Sequence, residues 1–321
     1  MTRSRIKWHT QYTTIKAKSQ SRKLAAIYYR AAESCASYRR RADNVYQCCD
    51  TVAVSDDGAL LAAYRCKDRL CPLCARMESR KAALNAKMVL DAALSSDRMV
   101  HMVTLTQRNC AAETLPQRVT EMLAAWDYLI HNLRAHRKYV LGYARSLEIT
   151  VGKTGDYHPH IHALLILCKD APRALIRPRY WAERWQYYMK THKYQNVMPI
   201  CDIRRIRPNA KKGASAEAAA AAEVAKYITK IGKVLDIPSP DAHVIAIDKA
   251  VHGRRLRSYG GIWRTIRRDL RLSDDADIGA SSDSTLSSVP YSIWQWSGME
   301  YVPYIAPVRA KTPNLLREKR V

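Results

Sequence analysis

Phenylalanine is absent from all 321 residues, whereas tyrosine occurs 19 times and tryptophan seven times. Tyrosine must therefore fill aromatic core positions, so its abundance says nothing about catalysis. Acidic side chains are also scarce: 29 Asp and Glu stand against 54 Lys and Arg, a formal charge of +25. A field of that sign favours a polyanion, nucleic acid first and an anionic membrane surface second. Long apolar runs are the third absence. No stretch approaches the length of a membrane span and no signal peptide opens the chain, so a soluble cytoplasmic protein without a membrane partner is expected.

What is present suits a folded chain. Hydrophobic residues make up 47% of a length sufficient for one sizeable core and an accessory domain. Nine cysteines in an unexported chain point to metal binding or reduced thiols rather than disulfides. Cys71-Pro72-Leu73-Cys74 has the spacing of a metal knuckle, in which two intervening residues let two thiolates reach one tetrahedral ion. Cys66 is near enough to be a third ligand. Cys48, or alternatively Cys49, supplies the fourth across a hairpin whose turn is Asp56-Asp57-Gly58. The expected ion is a structural zinc that staples a small module with little core of its own.

The second cluster of chemistry is Tyr157-His158-Pro159-His160-Ile161-His162, which runs into an apolar segment ending at Leu167. Side chains alternate across a strand, so His158, His160 and His162 share one face and Pro159, Ile161, Ala163, Leu165 and Leu167 take the other. Imidazoles on one face above an apolar underside suit a divalent metal. The strand Tyr143–Val151 precedes it across a Gly152–Gly155 turn. An antiparallel hairpin follows, with Glu148 beside the histidines.

Four segments organise the chain: a basic arm over 1–45, a cysteine module with a helix over 46–94, a larger domain over 95–272, and a linker with a basic tail over 273–321. The arm carries eleven Lys or Arg and two acids and reads either as a solvated segment or as a DNA contact. Helices are expected over Glu113–Arg137 and Arg173–His192. A further helix runs through five consecutive alanines, Ala218 to Ala222, into Glu223, Lys226, Tyr227 and Lys230 on one face. That face is a phenol set among cations, a site built for anions. Arg254 to Arg264 interleaves basic and aromatic residues in a pattern suited to backbone contact and base stacking.

Taken together, these pieces resemble the HUH endonucleases, and within them the rolling-circle plasmid replication initiators of the pC194/pUB110 type. Four motifs in order carry the resemblance: Cys66-x4-Cys71-Pro72-x-Cys74, Val103-Thr104-Leu105-Thr106, His158-Pro159-His160-Ile161-His162, and Glu223-x-x-Lys226-Tyr227-x-x-Lys230. The resemblance implies an α+β fold, an HUH core of about five antiparallel strands flanked by helices behind a small zinc-binding module. It implies a catalytic Mg2+ or Mn2+ held by His160 and His162, with Glu148 preferred to His158 as third ligand. Tyr227 becomes the nucleophile that nicks origin DNA through a 5′-phosphotyrosyl link, Glu223 the general base that activates water, and Lys226 and Lys230 the cations near the phosphate. Single-stranded and origin DNA, a host helicase and the replication machinery are the implied partners. An HUH transposase or relaxase, or a non-enzymatic zinc-stapled DNA-binding regulator, are the competing readings.

Overall fold

The computed structural model describes residues 11–94, 98–189, 198–206, 231–272 and 290–304. Among them run nine strands: β1 (Thr51–Ser55), β2 (Leu60–Ala63), β3 (Met99–Thr106), β4 (Val140–Val151), β5 (Tyr157–Leu167), β6 (Cys201–Arg205), β7 (Arg257–Gly261), β8 (Tyr291–Trp296) and β9 (Tyr301–Pro303). All pairings are antiparallel, in a four-stranded sheet ordered β2-β1-β8-β9 and a five-stranded sheet ordered β6-β3-β5-β4-β7. With helices packed against them, the class is α+β. Two compact units result: 11–78, 231–238 and 290–304 in one, and 79–94, 98–189, 198–206 and 239–272 in the other.

In the second unit the histidine strand β5 is central. It pairs on one side with β4, as the glycine turn requires, and on the other with β3. The turn works because Gly155 takes φ +82°, a left-handed conformation that costs glycine little. Alternation gives each face its own cover. Val100, Met102, Ala144, Leu164 and Ile166 pack with Ala86, Val89, Leu90 and Ala93 of the helix Pro72–Leu94 and with Trp263. Tyr143, one residue out of phase with Ala144, meets Trp126 edge-on at 5.4 Å. Trp126 belongs to the helix Leu115–Asn132, whose Val119, Met122, Leu129 and Ile130 form a buried apolar stripe at three- and four-residue spacing.

Tyrosine fills part of the aromatic interior as expected, beside the fully buried Trp126, Trp181, Trp185 and Trp263. Tyr28, Tyr143, Tyr157 and Tyr301 are all buried. A buried phenol needs a partner, and the hydroxyls of Tyr28 and Tyr301 donate to Asp68 Oδ1 at 3.2 Å and to the Cys49 carbonyl at 2.7 Å.

The structure redraws several segments. Residues 11–45, expected as part of a basic arm, form the helix Tyr12–Ala31 and most of the helix Ser37–Gln47, with Leu24, Ala25, Ile27 and Tyr28 in the core. Three- and four-residue spacing of these apolar positions drives burial despite the surrounding charge. Within 273–321, expected as linker and tail, Tyr291–Trp296 pairs with β1 and so completes the first sheet. The helix expected over Arg173–His192 is a 3-10 turn, Arg173–Ile176, followed by the helix Pro178–Tyr188, with proline at its favoured start. Trp263, expected to stack on bases, is fully buried, and Arg254 is tied to the carbonyls of Pro116 and Ala250.

Buried histidines set a pH dependence, and His136 is the more deeply buried example. His136 stacks on Trp181 at 4.7 Å, and its Nδ1 lies 2.7 Å from the Leu129 carbonyl. Burial lowers its pKa from 6.5 to about 4. Between those values the unfolded chain takes a proton that the folded chain refuses, so stability falls as pH drops through this window. The full loss is on the order of 3 kcal/mol. Denaturant melts at pH 7 and pH 4.5 check this; His136→Gln should reduce the difference, and the remainder includes His101, whose burial also lowers its pKa to about 4.

Candidate metal centres

Two clusters of ligand-type side chains converge among the described residues. The first lies on β4 and β5. Their register places Glu148 opposite His160 and Ser146 opposite His162. Glu148 Oε2 is 3.2 Å from His160 Nε2 and 3.3 Å from His162 Nε2. The carboxylate is buried, with 3% of its side chain exposed, and the two rings are nearly so. Strand alternation delivers all three to one patch without help from any loop.

Hydrogen bonds to the far ring nitrogens orient both histidines. His160 Nδ1 is 3.3 Å from the carbonyl of His158 and Nε2 is 3.2 Å from Glu148 Oε2; both oxygens can only accept, so a neutral ring satisfies one and turns a lone pair to the other. His162 Nδ1 is 3.2 Å from Thr104 Oγ1, its cross-strand partner on β3. A lone pair facing a buried carboxylate oxygen is repulsive unless a proton or a metal cation lies between them. Two donors bound at about 2.1 Å to one ion stand about 3.0 Å apart in octahedral and about 3.4 Å in tetrahedral geometry. The observed separations fall between these limits, so the donor set fits a divalent ion.

His158 stands apart from this group. Its Nδ1 is 2.7 Å from Asn109 Oδ1, and Asn109 Nδ2 also bonds Asp156. Burial first, and then the neighbouring His160, lower its pKa. The sequence placed Thr104 in a strand motif without a role and did not single out Asn109. The signal for Thr104 was available, because Thr104 and Thr106 alternate on β3 as His162 and His160 do on β5.

The second cluster is Cys48, Cys66, Cys71 and Cys74, whose sulfurs all lie within 4.8 Å of one another. Cys48 and Cys66 each lie 3.6 Å from Cys74, and Cys71 lies 3.8 Å from Cys48. A tetrahedron of sulfurs 2.3 Å from zinc has edges of about 3.8 Å. The spacing is therefore that of a closed four-thiolate site. Cys71 precedes the helix Pro72–Leu94 and Cys74 lies in its first turn, where the helix dipole favours negative charge. Burial opposes charge on Cys71, but hydrogen bonds from Cys48, Cys66 and Cys74 outweigh it and draw the thiol well below its usual range. Cys66 and Cys74 are held well above theirs, first by their hydrogen bonds with Cys48. Cys49, the alternative ligand, lies outside the group with its sulfur 4.0 Å from that of Cys48.

Glu223, Lys226, Tyr227 and Lys230 lie outside the described residues.

Comparison with known proteins gives a consistent set of relatives. A family model described as Replication protein (Rep_1) matches residues 58–302. The chain is 34% identical over 247 residues to "Protein rep" of Lentilactobacillus hilgardii, covering 73% of this chain and 77% of that one. It is 30% identical over 284 residues to "Protein rep" of Bacillus amyloliquefaciens, covering 81% and 82%. A third "Protein rep", from Bacillus sp, is 31% identical over 277 residues, covering 78% and 89%. No solved structure matches the chain significantly.

Proposed function

This chain belongs to the Rep_1 family of replication proteins, the rolling-circle plasmid initiators its motifs resemble, and from that premise we propose that it is a metal-dependent nicking and joining endonuclease acting on origin DNA. The observation that supports this reading is the buried carboxylate set against two imidazole Nε2 atoms on adjacent strands of a five-stranded sheet. Glu148, His160 and His162 would hold a Mg2+ or Mn2+, which supplies Lewis acidity to the scissile phosphate. Thr104 and the His158 carbonyl fix the rings so that both Nε2 atoms face the ion.

Tyr227 is the nucleophile in this reading. Its oxygen attacks phosphorus, the bond from phosphorus to the 3′ oxygen breaks, and that oxygen leaves as the 3′-OH that primes synthesis. Lys226 and Lys230 favour the phenolate and neutralise phosphate oxygens. A free phenol has a pKa near ~10 and is a weak nucleophile at pH 7 without such help. Glu223, four residues earlier in the sequence, takes a proton from water in the final cleavage. Incubation of the full chain with supercoiled plasmid bearing the origin should yield open circles only when a divalent ion is present. Conversion that persists in excess chelator would rule out the metal-dependent reading.

The four cysteines hold a structural zinc in the same proposal. Metal analysis of protein freed of loose ions should return about one zinc per chain. Zinc-free protein whose clustered cysteines alkylate rapidly in the native state would contradict it. DNA binding draws on the +25 charge. Affinity for a random single strand should fall linearly in log–log terms with salt, with a slope of about −0.7 for each phosphate neutralised. A salt-independent affinity would remove the role given to the basic surface.

A further inference from the structure

The helix Tyr12–Ala31 lies outside the residues matched by the family model and brings no cysteine, yet two of its side chains reach the thiol cluster. Lys18 is fully buried. Its ammonium donates to the Cys48 carbonyl at 2.6 Å and the Tyr46 carbonyl at 3.3 Å, and it pairs with Asp50 at 2.7 Å. Arg22 reaches the same Asp50 oxygen at 2.6 Å. Ser21, also fully buried, places its hydroxyl 3.4 Å from the Cys71 sulfur and 3.0 Å from the Ala17 carbonyl. A buried ammonium is costly to keep, and this one holds down both sides of a ligand residue.

We propose that Lys18 and Ser21 are positioning residues of the cysteine metal centre, a role that rests on the zinc reading above. Four thiolates around a divalent ion carry a net charge of about −2. Lys18 and Arg22 against one Asp50 leave a cation beside it. Ser21 has a single hydroxyl proton. The hydroxyl stands within reach of two acceptors, the Ala17 carbonyl and the Cys71 sulfur. With a divalent ion held by the four sulfurs, the hydroxyl would donate to the Cys71 thiolate. Lys18 meanwhile fixes the Cys48 carbonyl, so the Cys48 sulfur stays aimed at its three partners.

Outer-shell partners of this kind typically contribute 10–100-fold in metal affinity. The test uses the full chain loaded with zinc, or with cobalt(II) as a spectroscopic stand-in, in the variants Ser21→Ala, Ser21→Thr, Lys18→Met and Lys18→Arg. Zinc transfer to a chromophoric chelator should be about tenfold faster in Ser21→Ala and Lys18→Met. The sulfur-to-cobalt charge-transfer band of Ser21→Ala should move to lower energy, because a thiolate without its donor gives up an electron more easily. Ser21→Thr and Lys18→Arg should restore both readouts. Alanine favours a helix more than serine does, so general loosening does not account for the first variant. Wild-type protein that holds one zinc, with all variants releasing it at the wild-type rate and no band shift, would overturn the positioning role. Wild-type protein that holds no zinc would overturn the zinc reading itself.

Discussion

Tyr227→Phe is expected to abolish nicking and leave DNA affinity near the wild-type value. The substitution removes one oxygen and keeps the ring, the helix propensity and the charge, so recognition by basic side chains is untouched while the attacking atom is lost. Removing a nucleophile commonly costs a factor of ~10⁶ in turnover, which puts cleavage below detection in a gel assay. Glu223→Ala should behave differently. The first cleavage needs the phenol and not a water, so it proceeds, whereas the water-dependent release at termination slows by ~10²–10⁴-fold, the usual contribution of a general base. A single-turnover time course separates the two phases. Persisting cleavage by Tyr227→Phe would transfer the nucleophile to another of the 19 tyrosines.

His162→Ala and Glu148→Ala should each remove metal-dependent cleavage, by more than the 10–100-fold that outer-shell partners contribute. Losing His162 leaves a carboxylate and one imidazole, and losing Glu148 removes the only charged donor of the three, so neither remnant holds a divalent ion well. Thr104→Val keeps the ligands and deletes only the hydroxyl 3.2 Å from His162 Nδ1. It should therefore weaken Mn2+ binding by about tenfold and be rescued by excess ion. His158→Ala is the discriminating control. Its imidazole is engaged with Asn109 rather than with the cluster, so Mn2+ affinity, followed by the loss of the free-ion electron paramagnetic resonance signal, should stay near wild type. A His158→Ala defect as deep as that of Glu148→Ala would make His158 a ligand.

Much of this arrangement was legible because β-strand chemistry is local. Period-two histidines above an apolar underside fix a face, and a glycine turn of known length fixes which residue of β4 lies opposite His160. The CPxC knuckle fixed the sulfur cluster in the same way, with Cys48 coming from the far side of a hairpin. Other parts were hidden for reasons equally physical. The inner side of the helix Tyr12–Ala31 carries Thr14, Lys18, Gln20 and Ser21 among its buried residues, so its charge outweighed its apolar stripe in the sequence. The pairing of Tyr291–Trp296 with Thr51–Ser55 joins segments far apart in the chain, and no local pattern announces such a partner. Trp263 follows an arginine-rich run, but helical phase and not composition turned it inward against Ala144 and Leu164. Asn109 sits in a loop, where periodicity says nothing.

The central claim is that a tyrosine of this chain becomes covalently joined to DNA at a metal-bearing site, and the most direct measurement is to look for that bond. The full chain is incubated with a labelled single strand carrying its origin and Mn2+, then denatured and run on a gel. A labelled species shifted by the mass of the protein should appear, absent with chelator, absent in Tyr227→Phe, and yielding a Tyr227 phosphonucleotide peptide by mass spectrometry. Tight binding of the same strand under native conditions, with no covalent species under any divalent ion, would contradict the account and leave a DNA-binding protein without this chemistry.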